Sequence, residues 1–156
     1  MIQLFKLHDH LYIRPHTKRV NTERLLTELE NRGVRLVLNV ALIDDPVLAA
    51  ACRTVGMTYL HEPFNDSGAK LDRDRALTLA YEVAKSMVYG SVMIFCDSGW
   101  NRSALIAILA LIRFTGRPPA ELIKEARGVR GEDLLKNWAF EHFVLHSVGL
   151  GPSSVD

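Results

Sequence analysis

The chain has only two cysteines, Cys52 and Cys96, in 156 residues. Two are too few for a disulfide framework and cannot by themselves hold a zinc ion, so a cysteine with a task here is expected to have a chemical one. Charge of one sign is also lacking: 19 Lys and Arg stand against 18 Asp and Glu, a net charge of +1. That balance withholds the electrostatic support of non-specific nucleic-acid binding and argues against nucleic acid as a partner. Long apolar runs are absent. The longest, Ala104 to Ile112, falls far short of the ~20 residues that cross a bilayer. The opening Met1-Ile2-Gln3-Leu4-Phe5-Lys6 soon meets His8, Asp9 and His10, which leaves no apolar stretch of signal-peptide length. A soluble, cytoplasmic protein with no membrane contact is expected. No segment repeats, and the one Gly/Pro/Ser-rich piece begins at Gly149. Residues 1–148 are therefore expected to form one domain and residues 149–156 a flexible tail. An apolar content of 48% excludes a long disordered or collagen-like chain.

What is present alternates between strand and helix patterns. Ile2 to Leu7 and Leu11 to Ile13 read as short strands, broken by Pro15. A helix follows, capped by Asn21 or Thr22, striped by Leu25, Leu26 and Leu29, and ended at Gly33. Val34 to Val40 reads as a central strand buried on both faces. Asp44-Asp45-Pro46 turns the chain into a short helix through Ala51, and Met57 to Leu60 is the next strand. A loop from His61 to Lys70 leads to a helix from about Asp72 to Val88, and Ser91 to Phe95 is a continuous apolar strand that ends at Cys96. The helix from Ser103 is apolar on every side and should be buried. Two more helices are expected, at Pro119 to Arg127 and from about Asp133 to His146. The fold class is thus α/β, one domain with a mostly parallel sheet of four to five strands, flanking helices and an all-helical C-terminal third. Ligands in such folds sit at the carboxyl ends of the strands, which is where Cys96 falls.

Between that strand and that helix lies Cys96-Asp97-Ser98-Gly99-Trp100-Asn101-Arg102-Ser103. A tight loop at a helix N-terminus can turn its successive N–H groups onto one tetrahedral anion, aided by the helix dipole, and phosphate is the natural guest. The amides of Asp97, Ser98, Gly99, Trp100, Asn101 and Arg102 are the candidate phosphate binders. Gly99 lets the backbone curl inward without a Cβ. Arg102 can grip two phosphate oxygens at once, and the sulfur of Cys96 then lies beneath the phosphorus in surroundings that favour its nucleophilic, ionised form. Cys52 has Thr58, not an arginine, six residues on and reads as a core cysteine, with a protective disulfide to an oxidised Cys96 as the other reading.

The stretch Cys-x-x-Gly-x-x-Arg-Ser resembles the signature loop of the cysteine-dependent protein tyrosine phosphatase superfamily, specifically its small dual-specificity branch. The resemblance extends through Val37-Leu38-Asn39, Asn65-Asp66 and Asn137-x-x-Phe140. It implies a phosphotyrosine protein phosphatase-like fold and a phosphocysteine intermediate. Cys96 is then similar to the nucleophile, Arg102 to the phosphate clamp, Ser103 to the hydroxyl that steadies the leaving thiolate, and Asp66 to the general acid. Proton donation to a leaving alkoxide or phenoxide supports an acid of this kind independently, at ~100- to 10,000-fold. The competing reading of Asp66 is a turn residue in Asn65-Asp66-Ser67-Gly68. One departure stands out. The family usually has His before the cysteine, and this chain has Phe95, so less support for the ionised sulfur and slow activity are expected. Asp97 adds a carboxylate next to the cysteine, expected to face solvent or pair with a basic group.

The surroundings bear on substrate. Trp100 offers a ring to stack on a phosphotyrosine or a base, or to pack on a neighbouring helix. Arg127 and Arg130 offer a second anion site, or only a solvated helix end. His142 and His146 have an i, i+4 spacing but no third ligand in view, and no metal or organic cofactor is implied. The resemblance to the short enzymes implies a shallow pocket open to phosphoserine and phosphothreonine as well as phosphotyrosine. The leading expectation is a phosphoprotein phosphatase. Two alternatives stand beside it: a non-catalytic phosphate-binding module, and an RNA 5′-triphosphatase-like phosphatase suggested by Gly99-Trp100-Asn101-Arg102-Ser103. A sulfur transferase has no use for Asp66.

Overall fold

The computed structural model describes residues 2–15 and 20–149. The expected tail lies outside the described residues from Leu150 on. Five strands form one sheet in the order β1-β2-β5-β3-β4, with β1 at Phe5–His8, β2 at Leu11–Pro15, β3 at Val34–Asn39, β4 at Thr58–His61 and β5 at Ser91–Cys96. β1 pairs antiparallel with β2, and the other pairings are parallel. The expected class holds. β5 is buried along its whole length, as a central parallel strand must be when helices cover both faces.

Six helices cover the sheet: α1 at Thr22–Asn31, α2 at Pro46–Thr54, α3 at Arg73–Met87, α4 at Arg102–Thr115, α5 at Pro119–Arg130 and α6 at Trp138–Leu145. Their starts follow local chemistry. Asn21, Asp45 and Asp72 each accept a hydrogen bond from the backbone N–H three residues on, which satisfies donors that a helix N-terminus would otherwise leave exposed. Pro46 and Pro119 stand in the first turns of α2 and α5, where a missing N–H costs nothing. α4 ends at Gly116 with φ +70°. One core packs α3, α4, α5 and α6 onto Leu11, Ile13, Leu36, Leu38, Val92, Ile94 and Cys96. The opposite core packs α1 and α2 onto Tyr12, Val37, Met93 and Phe95. Among the described residues no helix is long and apolar enough to cross a membrane.

Two boundaries differ from expectation in the C-terminal third. α5 runs on to Arg130 rather than stopping at Arg127. Gly128 within it costs only about 1 kcal/mol against alanine, and buried Leu122, Ile123 and Ala126 offset it. α6 begins at Trp138 rather than near Asp133. Leu134 and Leu135 look like the start of an apolar helix face, yet both are buried in a non-helical turn, with Gly131 at φ +136° and Leu135 at φ +59°. A leucine in the left-handed region costs about 1–3 kcal/mol and persists only where its surroundings over-determine it.

Because Ile106 is wholly buried in α4, Ile106→Ala should cost about 3 kcal/mol and lower the thermal midpoint by roughly 10 °C in a melt followed by circular dichroism.

Candidate active site

Alternation along β5 decides which way the sulfur points. Val92, Ile94 and Cys96 face the α4 side and Met93 and Phe95 the other, so Cys96 ends the strand directly beneath the start of α4. It is 1% exposed. Its Sγ accepts from the Gly99 N–H at 3.3 Å and lies 3.4 Å from Ser103 Oγ. Gly99 has φ +71°, and a Cβ there would come within 2.9 Å of Pro15 N and 3.0 Å of Arg14 C. Conformation and close backbone approach both demand glycine.

The outer side of the loop is occupied by donors from the C-terminal third. Arg130 donates from Nη2 to the Ser98 carbonyl at 3.0 Å and from Nε to the Gly99 carbonyl at 3.3 Å. The Leu135 N–H donates to the Trp100 carbonyl at 2.8 Å, and the Asn137 N–H to Asn101 Oδ1 at 3.0 Å. A trans peptide sets its N–H opposite its C=O. With the carbonyls of 98, 99 and 100 held outward, the amides of 99, 100 and 101 therefore face the sulfur side. The guanidinium of Arg130 is sandwiched over Trp100, 3.5 Å from its centroid, and Phe5, at 4.4 Å. Burial lowers its pKa from the ordinary arginine value, while the nearby Cys96 sulfur pushes it the other way.

Arg102, the first residue of α4, is 6% exposed. Its Nη1 donates to the Phe64 carbonyl at 3.3 Å and its Nη2 to the Asp97 carboxylate at 2.8 Å. The basic partner of Asp97 is thus the expected phosphate clamp itself, and Asp97 is 58% exposed. Phe64 leads into the loop that carries Asp66. Its buried ring packs edge-on against Phe140. Arg75 lies over it, pairing with Glu62 at 3.1 Å and with the Pro63 carbonyl. Two residues on, the Asp66 carbonyl accepts from Asn137 Nδ2 at 2.9 Å. The turn expected at 65–68 is built by Asn65, whose Oδ1 accepts from the Ser67 N–H at 2.8 Å. The exposed Asp66 side chain has no hydrogen-bond partner in that turn.

Several expectations need correction. Arg127 does not join a second anion site, because its guanidinium is taken by the Leu134 carbonyl at 2.9 Å, the Leu135 carbonyl at 3.4 Å and the Glu141 carboxylate. Arg130 is bound to loop carbonyls rather than open to a ligand, and it covers the face that Trp100 would offer to a ring. Cys52 sits in the α1–α2 core, across the sheet from Cys96, so the two thiols do not face each other. Burial, then the Asp45 charge, push the Cys52 pKa up to about 11. His142 stacks between Trp138 and His146. Among the described residues no group of three or more His, Cys, Asp or Glu gathers at one point. Sequence reasoning assigned no role to Phe64, Arg75 or Asn137, nor to the buried Asn39. Asn39 donates from Nδ2 to Tyr59 Oη at 2.9 Å and accepts from the Ala41 N–H at 2.9 Å, shaping the loop after β3.

No protein-family model matches this chain, and no curated protein is similar to it in sequence. Solved structures are similar to it in three dimensions. Human DUSP28 is 18% identical with a TM-score of 0.73, over 92% of this chain and 96% of that one. Tk-PTP in its active form is 18% identical with a TM-score of 0.74, over 93% and 95%. The human tyrosine phosphatase-like serine/threonine/tyrosine-interacting protein is 15% identical with a TM-score of 0.70, over 90% and 92%. The chain has the fold of the small dual-specificity members of the protein tyrosine phosphatase superfamily.

Two substitutions test the loop. Gly99→Ala should lose about 1–2 kcal/mol from φ alone, with a further loss from the contact with β2, and abolish protection of the fold against heat by added tungstate. Asp97→Asn should release Arg102 and tighten tungstate or phosphate binding severalfold by calorimetry, since the incoming anion no longer has to displace a carboxylate.

Proposed function

We propose that the chain is a phosphatase acting on phosphorylated protein, on phosphotyrosine and also on phosphoserine and phosphothreonine, through a phosphocysteine intermediate. One observation carries this reading: a buried sulfur at the floor of a loop whose carbonyls are drawn outward, with a buried arginine at its rim. Such a loop stabilises a tetrahedral dianion and the trigonal-bipyramidal transition state that follows, without reorganising during the reaction. The Cys96 thiolate attacks phosphorus in line, forming the S–P bond as the ester P–O bond breaks, and Asp66 gives its proton to the leaving oxygen. Water then attacks phosphorus while the Asp66 carboxylate takes its proton. The S–P bond breaks, inorganic phosphate departs, and the Ser103 hydroxyl donates to the returning thiolate. We place its action in the cytoplasm, where a free thiol stays reduced.

The non-catalytic binder remains as a second reading because one observation favours it: Phe95 supplies no imidazole beside the cysteine. The RNA 5′-triphosphatase reading is weaker, since Arg130 covers the Trp100 ring and the net charge is near zero.

Release of phosphate from p-nitrophenyl phosphate and from phosphopeptides tests the proposal. Cys96→Ser should abolish turnover, Arg102→Ala should lower it ~100- to 1000-fold, and Asp66→Asn ~100- to 10,000-fold. A phosphopeptide that binds without turnover would establish the binder instead. At neutral pH iodoacetamide should label Cys96 and spare Cys52, whose raised pKa keeps it a protonated thiol until the solution is strongly alkaline. Mass spectrometry of the alkylated peptides reads both.

A further inference from the structure

We propose that Asn137 is a positioning residue for proton transfer, fastening the backbone of Asp66 to the phosphate loop so that the acid and the nucleophile keep a fixed separation. The inference rests on the reading of Cys96 as nucleophile and Asp66 as acid. Three atoms of Asn137 make four hydrogen bonds in three directions. Its N–H donates to Asn101 Oδ1 in the phosphate loop at 3.0 Å. Its Nδ2 donates to the Asp66 carbonyl at 2.9 Å. Its Oδ1 accepts from the N–H groups of Ala139 and Phe140, at 3.1 and 3.3 Å, and so caps α6.

The steric fit of the acid loop supports the same assignment independently. A Cβ on Gly68 would lie 2.7 Å from Ala139 Cβ and 3.3 Å from Asn137 Oδ1. The loop thus rests directly on the first turn of α6, and only glycine permits the approach. Upstream, the loop is fixed at Phe64 by Arg75 and Arg102. Asn137 supplies the second fixed point, on the far side of Asp66. Asparagine alone fits the post. Serine or aspartate caps a helix equally well but has no amide N–H to give the Asp66 carbonyl. Because a displacement of about 1 Å in a reacting group can cost ~100-fold in rate, loss of that one donor should be felt in the step that uses the acid.

The test compares wild type, Asn137→Ser, Asn137→Asp, Gly68→Ala, Asp66→Asn and the Asn137→Ser/Asp66→Asn double variant. Each is assayed for kcat/KM on p-nitrophenyl phosphate, whose leaving group needs little protonation, and on phenyl phosphate, whose leaving group needs it. kcat/KM runs through cleavage of the P–O bond. The expected result is a loss of ~10- to 100-fold on phenyl phosphate and under about fivefold on p-nitrophenyl phosphate for Asn137→Ser, with the inhibition constant for tungstate within about twofold. Asn137→Asp and Gly68→Ala should follow the same pattern, and the Ser variant should add nothing to Asp66→Asn. Equal losses on both substrates, a loss that multiplies with that of Asp66→Asn, or no loss would overturn the inference while leaving the phosphatase reading intact. If Asp66→Asn itself shows no leaving-group dependence, the acid assignment fails and this inference with it. A wild type without turnover removes the phosphatase reading altogether. Should Asn137→Ser melt far below wild type, Asn137→Asp and Gly68→Ala carry the comparison, since one keeps the cap and the other keeps the Asn137 amide while unseating the loop.

Discussion

Everything at this site depends on where four oxygen atoms of one loop point. A strand-to-helix turn of five residues carries as many carbonyls as amides, and an anion is attracted by one and repelled by the other. Arg130 takes the Ser98 and Gly99 carbonyls, the Leu135 N–H takes that of Trp100, and the Asn137 N–H takes the Asn101 side chain. Each of the three backbone pulls turns the next N–H inward through the rigidity of the peptide plane, while the bond to the Asn101 side chain ties down the end of the loop. The helical C-terminal third therefore acts as the outer wall of the loop from Cys96 to Arg102. Arg127 belongs to the same wall one layer back, since it clamps the carbonyls of Leu134 and Leu135 and so holds the turn that supplies the Leu135 donor. The left-handed backbone at Leu135 is the local strain which that turn tolerates, offset by complete burial of the side chain.

The period of two along β5 explains how one strand serves both cores and the chemistry. Ile94 and Cys96 face α4, Phe95 faces α1 and α2, and a register slip of one residue would exchange them. Phe95 thus contributes packing where the superfamily usually has an imidazole, and the loss is confined to the face behind the sulfur. Ser103 and the Gly99 amide, both on the sulfur's own side, are unaffected by the exchange. Cys52, on α2, lies in the opposite core, so the sheet itself separates the two thiols.

Much of this was legible in the sequence because it is local. Asn21, Asp45 and Asp72 announce helix starts through side chains that bond only three residues away, and the β-branched runs of β3 and β5 announce buried parallel strands. The loop from Cys96 to Ser103 is equally local, since its spacing alone makes an anion cradle at a helix N-terminus. What could not be read depends on contacts that local spacing does not announce. Arg127 looked like a free cation because the carbonyls that bind it lie in a turn that resembles a helix start. Arg130 looked like a second anion site because nothing in its neighbourhood names Ser98 or Gly99 as its partners. Asn137 was visible only as part of the resemblance at Asn137-x-x-Phe140, and its reach to Asp66 crosses about half the chain.

The pairing of Asp97 with Arg102 is best understood as the cost of burying the clamp. A guanidinium 6% exposed has lost most of its hydration, and an anion beside it offsets part of that cost. The Phe64 carbonyl compensates in part, and Asp97 supplies the charge. An incoming phosphate must therefore exchange with a carboxylate, and the gain on binding is the difference between two anions rather than the whole attraction of one. Phosphate has the advantage of two charges and of the inward amides, which a carboxylate attached to the loop's own backbone cannot reach in the same geometry. The half-exposed Asp97 side chain, in turn, recovers hydration when it is displaced. The exchange keeps Arg102 oriented before substrate arrives, so orientation is gained at the expense of affinity, and a loop built this way should bind its phosphate more weakly than one with an uncommitted arginine while needing less rearrangement to do so.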